Sequence, residues 1–159
     1  MKKLILILIF LILLFSPIIV KAKVLSEEPY QDYKIAGTAL WIKNVKVRYV
    51  DKMREEYICG EAMGGGGIAY LITLSVSKNC KSDLKLNAMH ELLHIYDLQH
   101  NGISKIMEGQ EAFNGINENK EKFAYWGSRY FLESTTLLLN HPKVFNVLDK
   151  YFSKYKIKL

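Results

Sequence analysis

Between Ser82 and His100 the chain carries the run that most restricts how it can fold. Leu84, Leu86, Ala88, Met89, Leu92, Leu93, Ile95 and Tyr96 are spread almost all the way round a helical wheel. A helix with no polar stripe has to be covered on more than one side, which calls for a sheet above it and further elements around it. The expected fold class is therefore α+β. Ser82-Asp83 supplies an N-cap and an acid in the first turn, so the helix is expected to begin there. The polar interruptions of its apolar surface are Asn87 and the stretch His90-Glu91-Leu92-Leu93-His94.

That stretch is an H-E-x-x-H pattern. Two imidazoles four positions apart stack on one helix face and can bind a single metal ion. Glu91 lies about 100° further round the helix, where it can sit beside a water molecule without displacing it. A carboxylate in so apolar a helix is costly to ionise unless a cation compensates, which suits it to exchanging a proton. His100, six positions beyond His94, is about 600° away and off that face. It reaches the same ion only if the chain turns sharply after about Asp97, and Asn101-Gly102 follows at once with residues that tolerate a left-handed turn.

Taken whole, His90 to His100 resembles the metzincin signature H-E-x-x-H-x-x-G-x-x-H of matrixin-like, astacin-like and adamalysin-like endopeptidases, with Asp97 at the position of the family's turn glycine. The resemblance implies one Zn²⁺ per chain, held by His90, His94 and His100, with Glu91 as general base. It implies a methionine turn at Ser104-Lys105-Ile106-Met107, with Met107 beneath the metal. It also makes Gly67-Ile68-Ala69-Tyr70 the start of an edge strand that pairs with a peptide substrate, and residues 108–117 the lining of the primed-side pocket. The implied fold is a small metzincin-like domain, a twisted mixed sheet over an active-site helix, with a helical C-terminal part. The implied function is that of a secreted zinc-dependent endopeptidase, hydrolysing peptide bonds with a zinc-activated water. Two alternatives stand beside it: a gluzincin-like peptidase whose third ligand is a downstream glutamate, Glu118, Glu121 or Glu133, and a non-catalytic zinc-containing protein that binds envelope partners.

The rest of the chain fits an exported domain. Met1-Lys2-Lys3, the apolar run from Leu4 to Phe15, and Val20-Lys21-Ala22 read as a signal peptide cleaved after about Ala22; an uncleaved anchor is the rival, interrupted by Ser16-Pro17. Residues 23–159 are then one domain, with C-terminal helices from about 117. The formal charge of +6 falls to about +3 without Lys2, Lys3 and Lys21, which gives little reason to expect nucleic acid as a partner. Lysines late in the chain, Lys143 to Lys158, form a solvated face that allows weak association with an anionic membrane surface. Cys59 and Cys80 are the only cysteines, and in an oxidising compartment they are expected to pair.

Helical spacing of Tyr33, Ala36 and Leu40 after Ser26-Glu27-Glu28-Pro29 predicts a helix from about Glu27 to Ile42. Val45 to Val50 alternates and predicts a strand. Gly64 to Gly67 predicts a turn into a second strand, Ile68 to Val76, and lacks the G-K-[ST] ending of a phosphate loop. Asn117 or Asn119 caps a helix to about Leu139, His141-Pro142 breaks it, and Val144, Phe145, Leu148, Tyr151, Phe152 and Tyr155 mark a last amphipathic helix.

Overall fold

The computed structural model describes residues 24–30, 33–35, 38–40, 42, 45–55, 57–65 and 68–155. The expected signal peptide, together with Ala36, Gly66 and Gly67, lies outside the described residues. Six strands precede the helices: β1 (Val24–Tyr30), β2 (Tyr33–Ile35), β3 (Thr38–Leu40), β4 (Val45–Val50), β5 (Gly60–Gly65) and β6 (Ile68–Ser75). Four α-helices follow: α1 (Leu84–Gln99), α2 (Asn119–Leu132), α3 (Ser134–Asn140) and α4 (Pro142–Phe152). The fold class is α+β, as the all-round apolar helix required. Among the described residues no helix is long and apolar enough to cross a membrane.

The main sheet has the order β1-β4-β6-β5 and is mixed: β4 and β6 run parallel, while β1 and β5 pair antiparallel with their neighbours. β4 alternates at its start as its sequence predicts, with Val45 and Val47 buried and Lys46 exposed, while Val50 at its end is buried on the opposite face. In β6 Ile72, Thr73, Leu74 and Ser75 are all buried, as expected of a strand with neighbours on both edges and a helix against one face.

The helix expected over residues 27–42 is not formed. β1 pairs along β4, from Val24 opposite Val50 to Tyr30 opposite Val45, and β2 and β3 form a small hairpin sheet. A helical spacing of three residues is weak beside the pull of β4, whose unpaired edge needs a partner for its backbone groups. Pro29 fits this arrangement, because β1 is an edge strand, the place in a sheet where proline is tolerated. The glycine run also divides differently from the sequence expectation. Gly64 and Gly65 close β5 rather than forming a turn, with a register shift between Met63 and Gly65 and Gly64 at φ 139°.

α1 lies under the sheet against β5 and β6, with α2 on its other side. Met89, Leu92, Leu93 and Ile95 are fully buried and join one core with Ile72, Leu74, Met107, Phe123, Tyr130 and Phe152. The close approach of α1 and α2 depends on Gly127, where a Cβ would stand 2.8 Å from Leu93 Cδ1. The expected long helix after Asn119 is interrupted at Glu133, which separates α2 from α3. The break at His141-Pro142 is present, and Val144, Leu148 and Phe152 turn the last helix onto the core. Cys59 and Cys80 form a disulfide that ties the start of β5 to the approach of α1.

Gly127→Val is predicted to destabilise the protein by about 1–3 kcal/mol, through overpacking where α1 meets α2. A urea-denaturation midpoint equal to that of the wild type would contradict this account of the helix crossing.

Candidate metal centre

His90 and His94 project from the same face of α1, one turn apart, and their Nε2 atoms converge to 3.1 Å. α2 brings the third group. Glu121 sits in its first turn, with Oε2 3.4 Å from His90 Nε2 and Oε1 3.4 Å from His94 Nε2. One ligand atom from each of the three residues lies within 4.8 Å of the others. Two nitrogens and a carboxylate oxygen are a donor set suited to zinc. The spacing suits it too, since ligand bonds of about 2.0–2.1 Å in tetrahedral geometry put donor atoms about 3.3 Å apart.

Glu91 completes the group from the neighbouring helix position. It is 7% exposed, and burial pushes its carboxyl pKa up; the His90 and His94 charges work against this rise, while Glu121 and Glu61 add to it. For His94, burial opposes the charged form, but the hydrogen bond and charge of Glu121 outweigh it, so the imidazole pKa is raised. Glu121 moves the other way: hydrogen bonds from His90 and His94 hold its carboxyl well below the usual carboxylate range. The two carboxyl groups are thus pushed in opposite directions, Glu91 towards the neutral form and Glu121 towards the ionised one.

The site opens into a cleft of about 430 Å³, lined by Gly60, Glu61 and Ala62 of β5, by His90, Glu91, His94, Asp97 and Leu98 of α1, and by Glu118, Lys120 and Glu121 around the start of α2. Gly60 was not among the residues expected here, and Glu121 was expected only in the gluzincin-like alternative. The sequence signal for Glu121 was an acid in the first turn of a predicted helix, shared with Glu118. Glu133, the third candidate of that alternative, lies at the far end of α2, where its Oε2 pairs with Arg129 Nη1 at 2.6 Å.

The structure does not bring His100 into this group. α1 does not end at Asp97 but continues to Gln99, and the left-handed residues are Asn101 (φ 57°) and Gly102 (φ 77°). The cause is Asp97 itself. Its side chain is buried, and Oδ1 accepts a hydrogen bond from Ser104 N at 2.6 Å, an arrangement that keeps it in the last turn of the helix and ties it to the following 3₁₀ segment Ile103–Met107. The exposed His100 folds back instead: its Nδ1 donates to Tyr96 O at 2.8 Å, and its ring stacks on that of Tyr96 with centroids 3.8 Å apart.

Met107 ends the 3₁₀ segment and is fully buried in the core shared by α1 and α2. Ile68, Ala69 and Tyr70 begin β6, which has β5 along one side and, from Tyr70 onward, β4 along the other; the edge strand at the cleft is β5. The physical reason is that residues 60–65, where only the glycines from Gly64 on carried an expectation, a turn, form a strand of their own outside β6. Residues 108–117 pack on α2 rather than line the cleft: Lys122 Nζ donates to Gln110 O, Trp126 Nε1 donates to Glu111 O, and Phe113 stacks on Tyr125. His141, at the helix break, pairs its Nδ1 with Glu111 Oε2 at 2.8 Å.

Comparisons of the chain with known protein families, with curated proteins and with solved structures found no match.

Glu121→Ala is predicted to weaken zinc binding by more than about 100-fold, beyond what loss of an outer-shell partner costs, whereas His100→Ala leaves it unchanged. Competition with a chromophoric chelator measures both; the reverse ranking would return the third ligand position to His100.

Proposed function

We propose that this chain is an exported zinc-dependent peptidase whose metal is held by His90, His94 and Glu121, and that Glu91 is its general base. The observation that carries this reading is the convergence of Glu121 on the two histidines, whose Nε2 atoms are 3.1 Å apart and each 3.4 Å from one of the two Glu121 carboxylate oxygens. A third ligand supplied as glutamate by a downstream helix resembles the gluzincin arrangement rather than the metzincin one, although Asn117-Glu118-Asn119-Lys120-Glu121 is not that group's usual second motif. A bound zinc ion would polarise the scissile carbonyl as a Lewis acid and draw the pKa of water towards neutrality.

The chain's own residues account for the remaining requirements. Glu91 accepts the proton of the attacking water and delivers it to the leaving amine; its raised pKa brings the two protonation states closer in energy, as a residue that must occupy both requires. Glu121 stays ionised and keeps its charge on the ligand side. β5 favours a peptide as substrate, because it has β6 on one side only and Gly60, Glu61 and Ala62 line the cleft. An extended peptide adds to such an edge by backbone hydrogen bonds, which place a carbonyl along the cleft without selecting side chains. The Cys59–Cys80 bridge supports folding in an oxidising compartment, in keeping with the signal-peptide pattern of residues 1–22.

Glu91→Gln is predicted to retain one zinc per chain while hydrolysis of casein or of an unstructured peptide falls by about 10²–10⁴-fold. A chelator abolishes the wild-type rate in the same assay. Zinc-loaded wild type that cleaves nothing across a broad peptide library would overturn the peptidase reading and favour a zinc-containing binding protein.

A further inference from the structure

We infer that Gly60 is the positioning residue for Glu91: the absence of a side chain at the first residue of β5 leaves the space in which the Glu91 carboxyl group lies, and so fixes where the base stands relative to His90 and His94. The inference rests on the peptidase reading for its consequence in rate, and on geometry alone for the contact. A Cβ at Gly60 would stand 2.8 Å from both Cγ and Oε1 of Glu91, and 3.1 Å from Cδ. Contacts that short are not tolerated, so one of the two partners would have to move.

The backbone does not need glycine at this position. Gly60 is not among the described glycines with positive φ, in contrast to Gly64, Gly102, Gly109 and Gly115, so what it provides is space and not conformational freedom. Nor is the strand free to retreat. Gly60 pairs opposite Leu74 of β6, its neighbour Cys59 accepts a hydrogen bond from Ser75 N at 3.0 Å, and Cys59 is bonded to Cys80 just ahead of α1. Glu91 is therefore the partner that gives way. It is a flexible side chain, and the three atoms nearest the added carbon all belong to it.

The test is Gly60→Ala, examined in two ways. Restoring an ordinary ~3.5 Å contact displaces the Glu91 carboxyl group by about 0.7 Å, and crystal structures of the metal-free wild type and variant should show that shift with His90, His94 and Glu121 in place. In the zinc-loaded protein, zinc affinity and KM are expected to stay unchanged while kcat falls about 10- to 100-fold, the scale of a misplacement approaching 1 Å. Because the effect acts through Glu91, Gly60→Ala should cost nothing further in a Glu91→Ala background. An unmoved carboxyl group, an unchanged kcat at full zinc occupancy, or an equal proportional loss in the Glu91→Ala background would each overturn the inference. Should Gly60→Ala fail to fold, the double variant with Glu91→Ala must fold, and its failure overturns the inference as well. If the wild type cleaves no peptide, the peptidase reading falls by itself and the crystallographic comparison decides whether Gly60 positions Glu91.

Discussion

The packing of α1 against α2 is the contact on which the candidate metal centre depends. Two of its donors share one helix and are separated by a single turn, so their relation is set by helix geometry alone. The third comes from another helix, and its distance is set by how closely the two can approach. Leu93 lies against the bare backbone of Gly127, and Glu121 is six residues before that glycine, about 9 Å along the helix axis. A larger residue at the crossing would push the helices apart and open the triangle of His90, His94 and Glu121. The same burial that stabilises the domain therefore gathers its polar groups.

The three carboxylates have different surroundings. Glu91 faces β5 in a nearly closed position, where burial makes it resist ionisation; Glu121 accepts hydrogen bonds from two imidazoles and resists protonation; and Asp97 accepts a hydrogen bond from a backbone N–H of the next segment. Several acidic groups around one cleft, with Lys120 as the basic residue among those lining it, make a place where a divalent cation is electrostatically favoured. β5 contributes to both aspects of the site, as a wall with a free edge and as the surface against which Glu91 lies.

Much of this was legible in the residues, and the exceptions share a cause. The buried helix, the H-E-x-x-H face, β4, β6, the Cys59–Cys80 pairing and the helix break at Pro142 all follow from local pattern or from simple chemistry. The segment 27–42 departs from its helical spacing because a weak helical period says nothing about β4 needing a partner on its open edge. The third donor was ambiguous for a similar reason. His100 is close in sequence, but Asp97 stands at the position of a turn glycine and remains helical, held there by Ser104. Glu121 is 27 residues beyond His94 and is reached only through tertiary packing, which no local spacing encodes. Gly60 left no signal at all, since its role is the space it does not fill.

X-ray absorption at the zinc edge tests the central claim most directly, because it counts the ligands of the bound ion in solution without requiring turnover. The account predicts two imidazole nitrogens and a protein carboxylate oxygen, at about 2.0–2.2 Å, with solvent oxygen completing the shell. A spectrum fitted by three imidazoles would place His100 on the metal and contradict the role of Glu121; a sulfur shell at about 2.3 Å would contradict the site altogether.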